Sequence, residues 1–212
     1  MKTLCFLTLA AATLSFAQLS GQNVSLPKPN LDKGYSITKS LSLRKSAEAQ
    51  DFQKAKDLSL EEISDLLWAA NGVNRPAEGR RTAPSAMNNQ DIYLYVLAKS
   101  GAYLYNAKEH SLGLVANSDL RAAGAGGQKA FGDAPIIVVL VSDISKFGGG
   151  DDVTKKRLGA MDAGIVSQNI SLFCSGTGLI TRVRASMDVD ALTKALKLTA
   201  SQIPMLNHPV GK

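Results

Sequence analysis

The 212 residues are 45% apolar and 20% charged, a balance that excludes wholesale disorder and allows one globular domain with a sizeable buried core. The net charge of +6 comes from basic residues spread along the chain. Only Lys155, Lys156 and Arg157 are bunched, and no aromatic residues alternate with the cations, so no nucleic-acid partner is expected.

The chain opens with MKTLCFLTLAAATLSFA, residues 1–17: a charged start at Lys2, an apolar run from Leu4 to Ala12 and a small-residue end at Ala17. This pattern predicts a secretory signal peptide, too short for a spanning helix, and therefore an exported, periplasmic protein with no transmembrane segment after cleavage. Cleavage removes Lys2 and Cys5, leaving Cys174 alone in the apolar stretch ISLFCSGTG. No intrachain disulfide can then form, and Cys174 reads as a buried small hydrophobe, not a nucleophile. Residues 18–40, polar and proline-containing at their start, predict an extended arm outside the core. The folded domain is assigned to residues 41–212.

Within that domain, Ser59 with Glu62 three residues on predicts a capped helix start. Ile63, Leu66, Leu67 and Ala70 follow at helical spacing, Gly72 closes the helix, and Trp68 falls on or beside the buried face. The stretch DIYLYVLAKSGAYLYNAKEHSLGLV alternates with a period of two between turn signals, predicting a meander of antiparallel strands. LRAAGAGGQKAFGD predicts a helix with weak glycine-rich ends. APIIVVLVSD, residues 134–143, is a continuous β-branched run suited to a strand covered on both faces. A long helix from about Asp152 to Ser175, a strand at LITRVRA, a helix started by Asp188 and a last strand near QIPMLN complete the order. This predicts an α+β fold, a central, mostly antiparallel sheet flanked by helices.

Several chemistries lack their motifs. His110, His208 and Cys174 have no metal-ligand spacing, so no metal site is expected. Ser85 lies in APSAM and not in a Gly-x-Ser-x-Gly elbow, which argues against a serine hydrolase. The glycine clusters GAGG and FGGGDD do not join a strand to a helix and give no dinucleotide fingerprint.

What remains is a set suited to a flat, anionic ligand. LRKS offers Arg44 as a planar fork of donors, Lys45 as a point charge and Ser46 as a hydroxyl. GRRTAPSAMNNQD adds a proline-fixed loop with small residues at Ser85 and Ala86 and an amide at Asn88. PSAMNNQ, from Pro84 to Gln90, resembles the Pro-Ser-Ala-x-Asn-x-Gln loop of the flavin-dependent nitroreductase family, and LRKS resembles that family's Arg-x-Ser phosphate loop. DAGIVSQNISLFCSGTGLI, VRASMDVDALTKALKL and QIPMLNHPVG are similar to its long central helix, closing helix and last strand. LLWAANGVNR with RRTAPSAMN looks closest to the branch that includes the thiazole-oxidising dehydrogenases. Glu48 stands where a second basic residue is common, Asp91 and Ile92 replace a Pro-Trp pair, and the chain stops at PVGK.

The resemblance implies a two-fold homodimer that holds flavin mononucleotide (FMN) at its interface, each site combining residues of both chains. Arg44, Lys45, Ser46 and Arg184 are implied for the phosphate and ribityl chain. Pro84, Ser85, Ala86, Asn88 and Gln90 are implied for the ring and ribityl side. No side chain stands out as a catalytic acid or base. The implied activity is two-electron, ping-pong transfer between an unknown electron donor and an unknown small-molecule substrate. A flavin-binding or electron-relay protein without its own turnover, and a degenerate dimeric binding protein, are the alternatives.

Overall fold

The structure is a computed structural model that describes residues 24–212; the expected signal peptide lies outside the described residues. The elements are β1 (Val24–Ser25), α1 (Ile37–Leu43), α2 (Ala49–Phe52), α3 (Leu60–Asn71), β2 (Val73–Arg75), β3 (Arg80–Arg81), β4 (Ile92–Ala98), β5 (Gly101–Asn106), β6 (Ser111–Ala116), α4 (Arg121–Ala125), β7 (Ile136–Asp143), α5 (Asp152–Thr177), β8 (Ile180–Thr181), α6 (Val189–Ala195) and β9 (Gln202–Gly211). The strands form a sheet of order β1-β6-β5-β4-β7-β9-β8, with β2 and β3 as a separate ribbon. Every pairing in the sheet is antiparallel, so the expected α+β class is the observed one.

β7 shows why the sheet sits at the centre. Ile136, Val138 and Leu140 pack with Ile63, Leu66 and Leu67 of α3 and Ala163, Val166 and Ile170 of α5. The intervening Ile137, Val139 and Val141 pack with Phe52 of α2, Ala125 of α4 and Leu192 of α6. Alternate side chains point to opposite faces, so a strand between two helical layers has to be apolar at every position. All six are fully buried.

α3 begins as its sequence signals. The Ser59 hydroxyl accepts the Glu62 N–H and the Glu62 carboxylate accepts the Ser59 N–H, satisfying two otherwise unpaired donors. Trp68 is half-buried and donates its indole N–H to the Val73 carbonyl. Cys174 is buried on α5 and its thiol is pushed up by desolvation, in keeping with an inert core residue.

The arm is polar, yet from residue 24 onward it is docked. β1 pairs with β6, and Leu26 is buried in the same core as α3 and α5. The Asn30 N–H and the Lys33 ammonium both donate to Asp65 of α3, and His110 bridges the Pro27 carbonyl, Ser64 of α3 and the Tyr105 hydroxyl. Composition hides this, because the arm is fixed by hydrogen bonds to partners far away in sequence. LITRVRA is also mostly irregular: β8 holds only Ile180 and Thr181, and Arg184 adds one isolated bridge to Asn207.

Candidate functional site

Two stations lie at different heights along α5. The first is the turn after α1. Ser175 donates its hydroxyl to the Ser40 carbonyl and Gly176 leaves room for Ser40, so α1 crosses α5 near its C-terminal end. The chain then leaves α1 at Arg44, Lys45 and Ser46, all exposed, with no side-chain partner among the described residues. Ala47 anchors the turn by donating its N–H to the Thr181 carbonyl. Lys45 lines a cavity of about 530 Å³ that also reaches Lys54 and Lys212 and includes one acid, Asp51.

Arg182, which the motif reading passed over, stands beside this turn. Its guanidinium donates to the Ala47 carbonyl and pairs with Glu48 at 3.2 Å. Glu48 and Asp51 form the capping box of α2, so the acidic residue at the position often basic in the resembled family has a structural task. Arg182 and Arg184 both stack over Phe131, at 5.8 and 4.5 Å from the ring centroid.

Arg184 itself departs from its expected role. It is 6% exposed, and its guanidinium donates to the Gly124 and Ala125 carbonyls, to the Asn207 side-chain oxygen and to Gln128. All five donors are committed to tying β9 to the end of α4, so Arg184 is not a free grip for phosphate in this conformation. Its expected role comes only from the family resemblance, which does not show where its donors go. Only the half-exposed Arg182 points its charge toward the Arg44 turn.

The second station is the loop from Pro84 to Gln90, more than three turns of α5 away from Ser175, about 20 Å along the helix axis. Its backbone winds through left-handed conformations at Met87, Asn88 and Gln90, with φ of 52°, 57° and 50°, unfavourable for residues with a Cβ. A brace on every side holds it there. The Ala86 N–H donates to both carboxylate oxygens of Asp162 on α5. The Gln90 N–H donates to the Ser85 hydroxyl, and the Gln90 side-chain amide donates to the Gly79 carbonyl and the Asn88 side-chain oxygen. Lys146 caps the Gln90 carbonyl.

These bonds sort the expected ligands. Ala86 and Gln90 spend their donors holding the loop's shape. Pro84 and Asn88 are exposed, Asn88 keeps its amide protons, and Ser85 keeps its hydroxyl proton.

Below the loop lies a pair of buried carboxyl groups. Asp91 accepts from the Ser142 hydroxyl on one oxygen, while its other oxygen has no donor among the described residues and faces Asp162. Burial first, then Asp162, pushes the Asp91 carboxyl up to about 7. Two carboxyl groups facing each other disfavour double ionisation, so below about pH 7 Asp91 holds a proton that it can donate toward Asp162. This accounts for Asp91 where the resembled loop carries proline. The next residue, Ile92, is core.

A model of the nitroreductase family matches residues 44–212. Among solved structures, the chain is similar to a protein from Ralstonia eutropha JMP134 described as a nitroreductase, at 28% identity over 96% of this chain and 95% of that one, with a TM-score of 0.82. It also shares its fold with the E. coli microcin synthetase McbBCD complex, at 20% identity over 100% of this chain and 84% of that one, with a TM-score of 0.66. A Clostridium acetobutylicum protein described as an NADH oxidase shows the same fold at 19% identity over 83% of this chain and 86% of that one, with a TM-score of 0.55. No curated protein matches the chain significantly. The family match begins at Arg44, the first residue of the basic turn, and runs to Lys212, taking in both stations, every strand of the sheet but β1, and the long helix between them: the chain belongs to the nitroreductase family.

Proposed function

We propose that the protein is an exported, FMN-dependent oxidoreductase that works as a two-fold homodimer, moving two electrons between a donor and a small-molecule substrate that take turns at one site. The observation that carries this reading is the separation of the two stations. Arg44, Lys45 and Ser46 present unpartnered phosphate-binding groups at one end of α5, and Pro84, Ser85 and Asn88 present a braced loop at the other. One protomer leaves them far apart, whereas a second copy packed on α5 could place one chain's loop against the other's basic turn. An apolar stripe lies along the exposed face of α5, with Met161 58% and Ile165 38% exposed and open space beside Gly164.

The residues fit FMN. Its phosphate suits Arg44, Lys45 and Arg182, because a guanidinium fork and an ammonium both give charge-assisted hydrogen bonds. Ser46 suits a phosphate or ribityl oxygen, and Ser85 and Asn88 of the partner loop suit the ribityl chain and ring edge. When bound, FMN supplies the hydride chemistry. The protein holds the ligand in place, keeps the loop rigid through Asp162 and Gln90, and excludes water with the apolar seam of two α5 helices. Fold-sharing with the McbBCD complex supports placing the chain near the thiazole-oxidising branch.

The test is the visible spectrum of the purified protein and of its heat-denatured supernatant. A yellow protein releasing FMN supports the reading, and turnover of nitroaromatics or quinones with a chemical reductant separates an enzyme from a relay. A colourless protein that neither carries nor takes up FMN sinks it and leaves the non-catalytic dimer.

A further inference from the structure

A second polar cleft lies at the end of the sheet where β4 and β5 part. The two strands pair from Ala98 opposite Gly101 as far as Tyr95 opposite Leu104. Beyond that point β4 continues to Ile92 bonded to β7, while β5 continues to Asn106 bonded to β6. The gap opens a cavity of about 440 Å³ lined by Arg81, Tyr93, Leu104, Tyr105 and Lys108 among others.

Arg81 enters this cavity from the β2–β3 ribbon. Its Nε is buried without a hydrogen-bond acceptor, and its guanidinium has no hydrogen bond or ion pair among the described residues. Glu109, the one acid among the described lining residues, is exposed and makes no ion pair with Arg81. Leaving a buried donor unmet is costly, and an arginine at the wall of a cavity with no acceptor in its own chain is a natural place for an anion. Burial lowers the Arg81 pKa from its ordinary value, which reflects the same unmet charge.

The size and walls narrow the ligand. The volume falls within the range of small-molecule pockets and far exceeds an inorganic ion. Leu104 and the rings of Tyr93 and Tyr105 give it apolar walls, and a guanidinium fork matches the paired oxygens of a carboxylate. We propose that the cleft between β4 and β5 binds a small organic carboxylate with an apolar body, its carboxylate taken by Arg81. This site is separate from the Arg44 turn, and binding there requires no turnover.

The experiment is isothermal titration of the full purified protein with benzoate, benzamide and inorganic phosphate, repeated on Arg81→Met and Leu104→Trp. The first variant removes the charge, and the second fills the cavity from its apolar wall. Benzoate should bind wild type at least tenfold tighter than benzamide, phosphate should not compete, and either variant should weaken benzoate at least tenfold. Should Arg81→Met fail to fold by circular dichroism, Leu104→Trp carries the same comparison. No benzoate binding, equal binding of benzamide, competition by phosphate, or unchanged affinity in the folded variants would each overturn the assignment. Binding that shifts a flavin absorbance band and survives both substitutions would place the benzoate over the flavin; that outcome also overturns the cleft site while leaving the flavin reading intact.

Discussion

At the scale of single residues, charge alone does not identify a ligand. Arg44, Arg81, Arg182 and Arg184 lie within one small domain, yet only Arg184 has every donor satisfied by protein acceptors. Replacing Arg44 with Ala should weaken FMN binding by about 1.5 to 3 kcal/mol, the usual worth of a charge-assisted hydrogen bond, with little change in unfolding midpoint because the side chain is exposed and makes no hydrogen bond or ion pair among the described residues. Titration of apo protein with FMN measures it, and unchanged affinity would put the phosphate elsewhere. Asp91 and His208 set opposing pH dependences. The Asp91 carboxyl, ordinarily at 3.8, is raised to about 7, so its contribution to stability is full below the ordinary value and lost as pH rises through about 7. His208 is fully buried between the Ser167 and Thr181 hydroxyls, and burial lowers it from 6.5 to about 3. Its contribution is present above the ordinary value and lost as pH falls toward about 3. Asp91→Asn removes the first effect while keeping a donor for Asp162. Relative to wild type it should gain on the order of 3 kcal/mol between about pH 4.5 and about pH 7.5, read from urea unfolding at the two pH values. A difference from wild type that is constant with pH would mean the two carboxyl groups do not share a proton.

At the scale of elements, α5 does three jobs with three faces. Ala163, Val166 and Ile170 enter the core, Asp162 braces the Pro84–Gln90 loop, and Met161 and Ile165 face outward. Gly159 is glycine because a Cβ there would collide with the Ser142 side chain, which in turn holds Asp91. If the outward face is the dimer seam, Ile165→Glu should split the dimer and release FMN together, since a carboxylate buried in an apolar interface without a partner is strongly unfavourable. Sedimentation and the visible spectrum read both at once. A variant that stays dimeric and yellow would move the seam to another face. The fold itself should survive, because this position leaves the core untouched.

At the scale of the whole molecule, the open matter is where the electrons come from. The expected signal peptide has a single Lys2 and no twin arginine, so export through the unfolded route is proposed, with FMN acquired after translocation. Cytosolic nicotinamides would then be out of reach, and the donor would be a periplasmic or membrane-linked reductant, or the substrate itself if the enzyme runs as a dehydrogenase. Fractionation of the native cell and stopped-flow reduction of the bound flavin check this together. Rapid reduction by NADH or NADPH with an uncleaved chain in the cytosol would reverse it. Among the described residues no helix is long and apolar enough to cross a membrane.

The sequence by itself determined the elements whose signals are local. The Ser59–Glu62 box starts α3, the period-two pattern makes β4 to β6, and the unbroken run from Ile136 to Val141 requires cover on both faces. The family, too, was legible in PSAMNNQ and LRKS, because each motif is a run of neighbouring residues. Tertiary structure decided what depends on residues far apart in the chain. It drew the polar arm onto Asp65 and His110, committed Arg184 to four acceptor residues and left Arg182 beside the basic turn. It also paired Asp91 with Asp162 across 71 positions of sequence. Each of these turns on where a buried polar group finds its partner, and no periodicity or local motif carries that information.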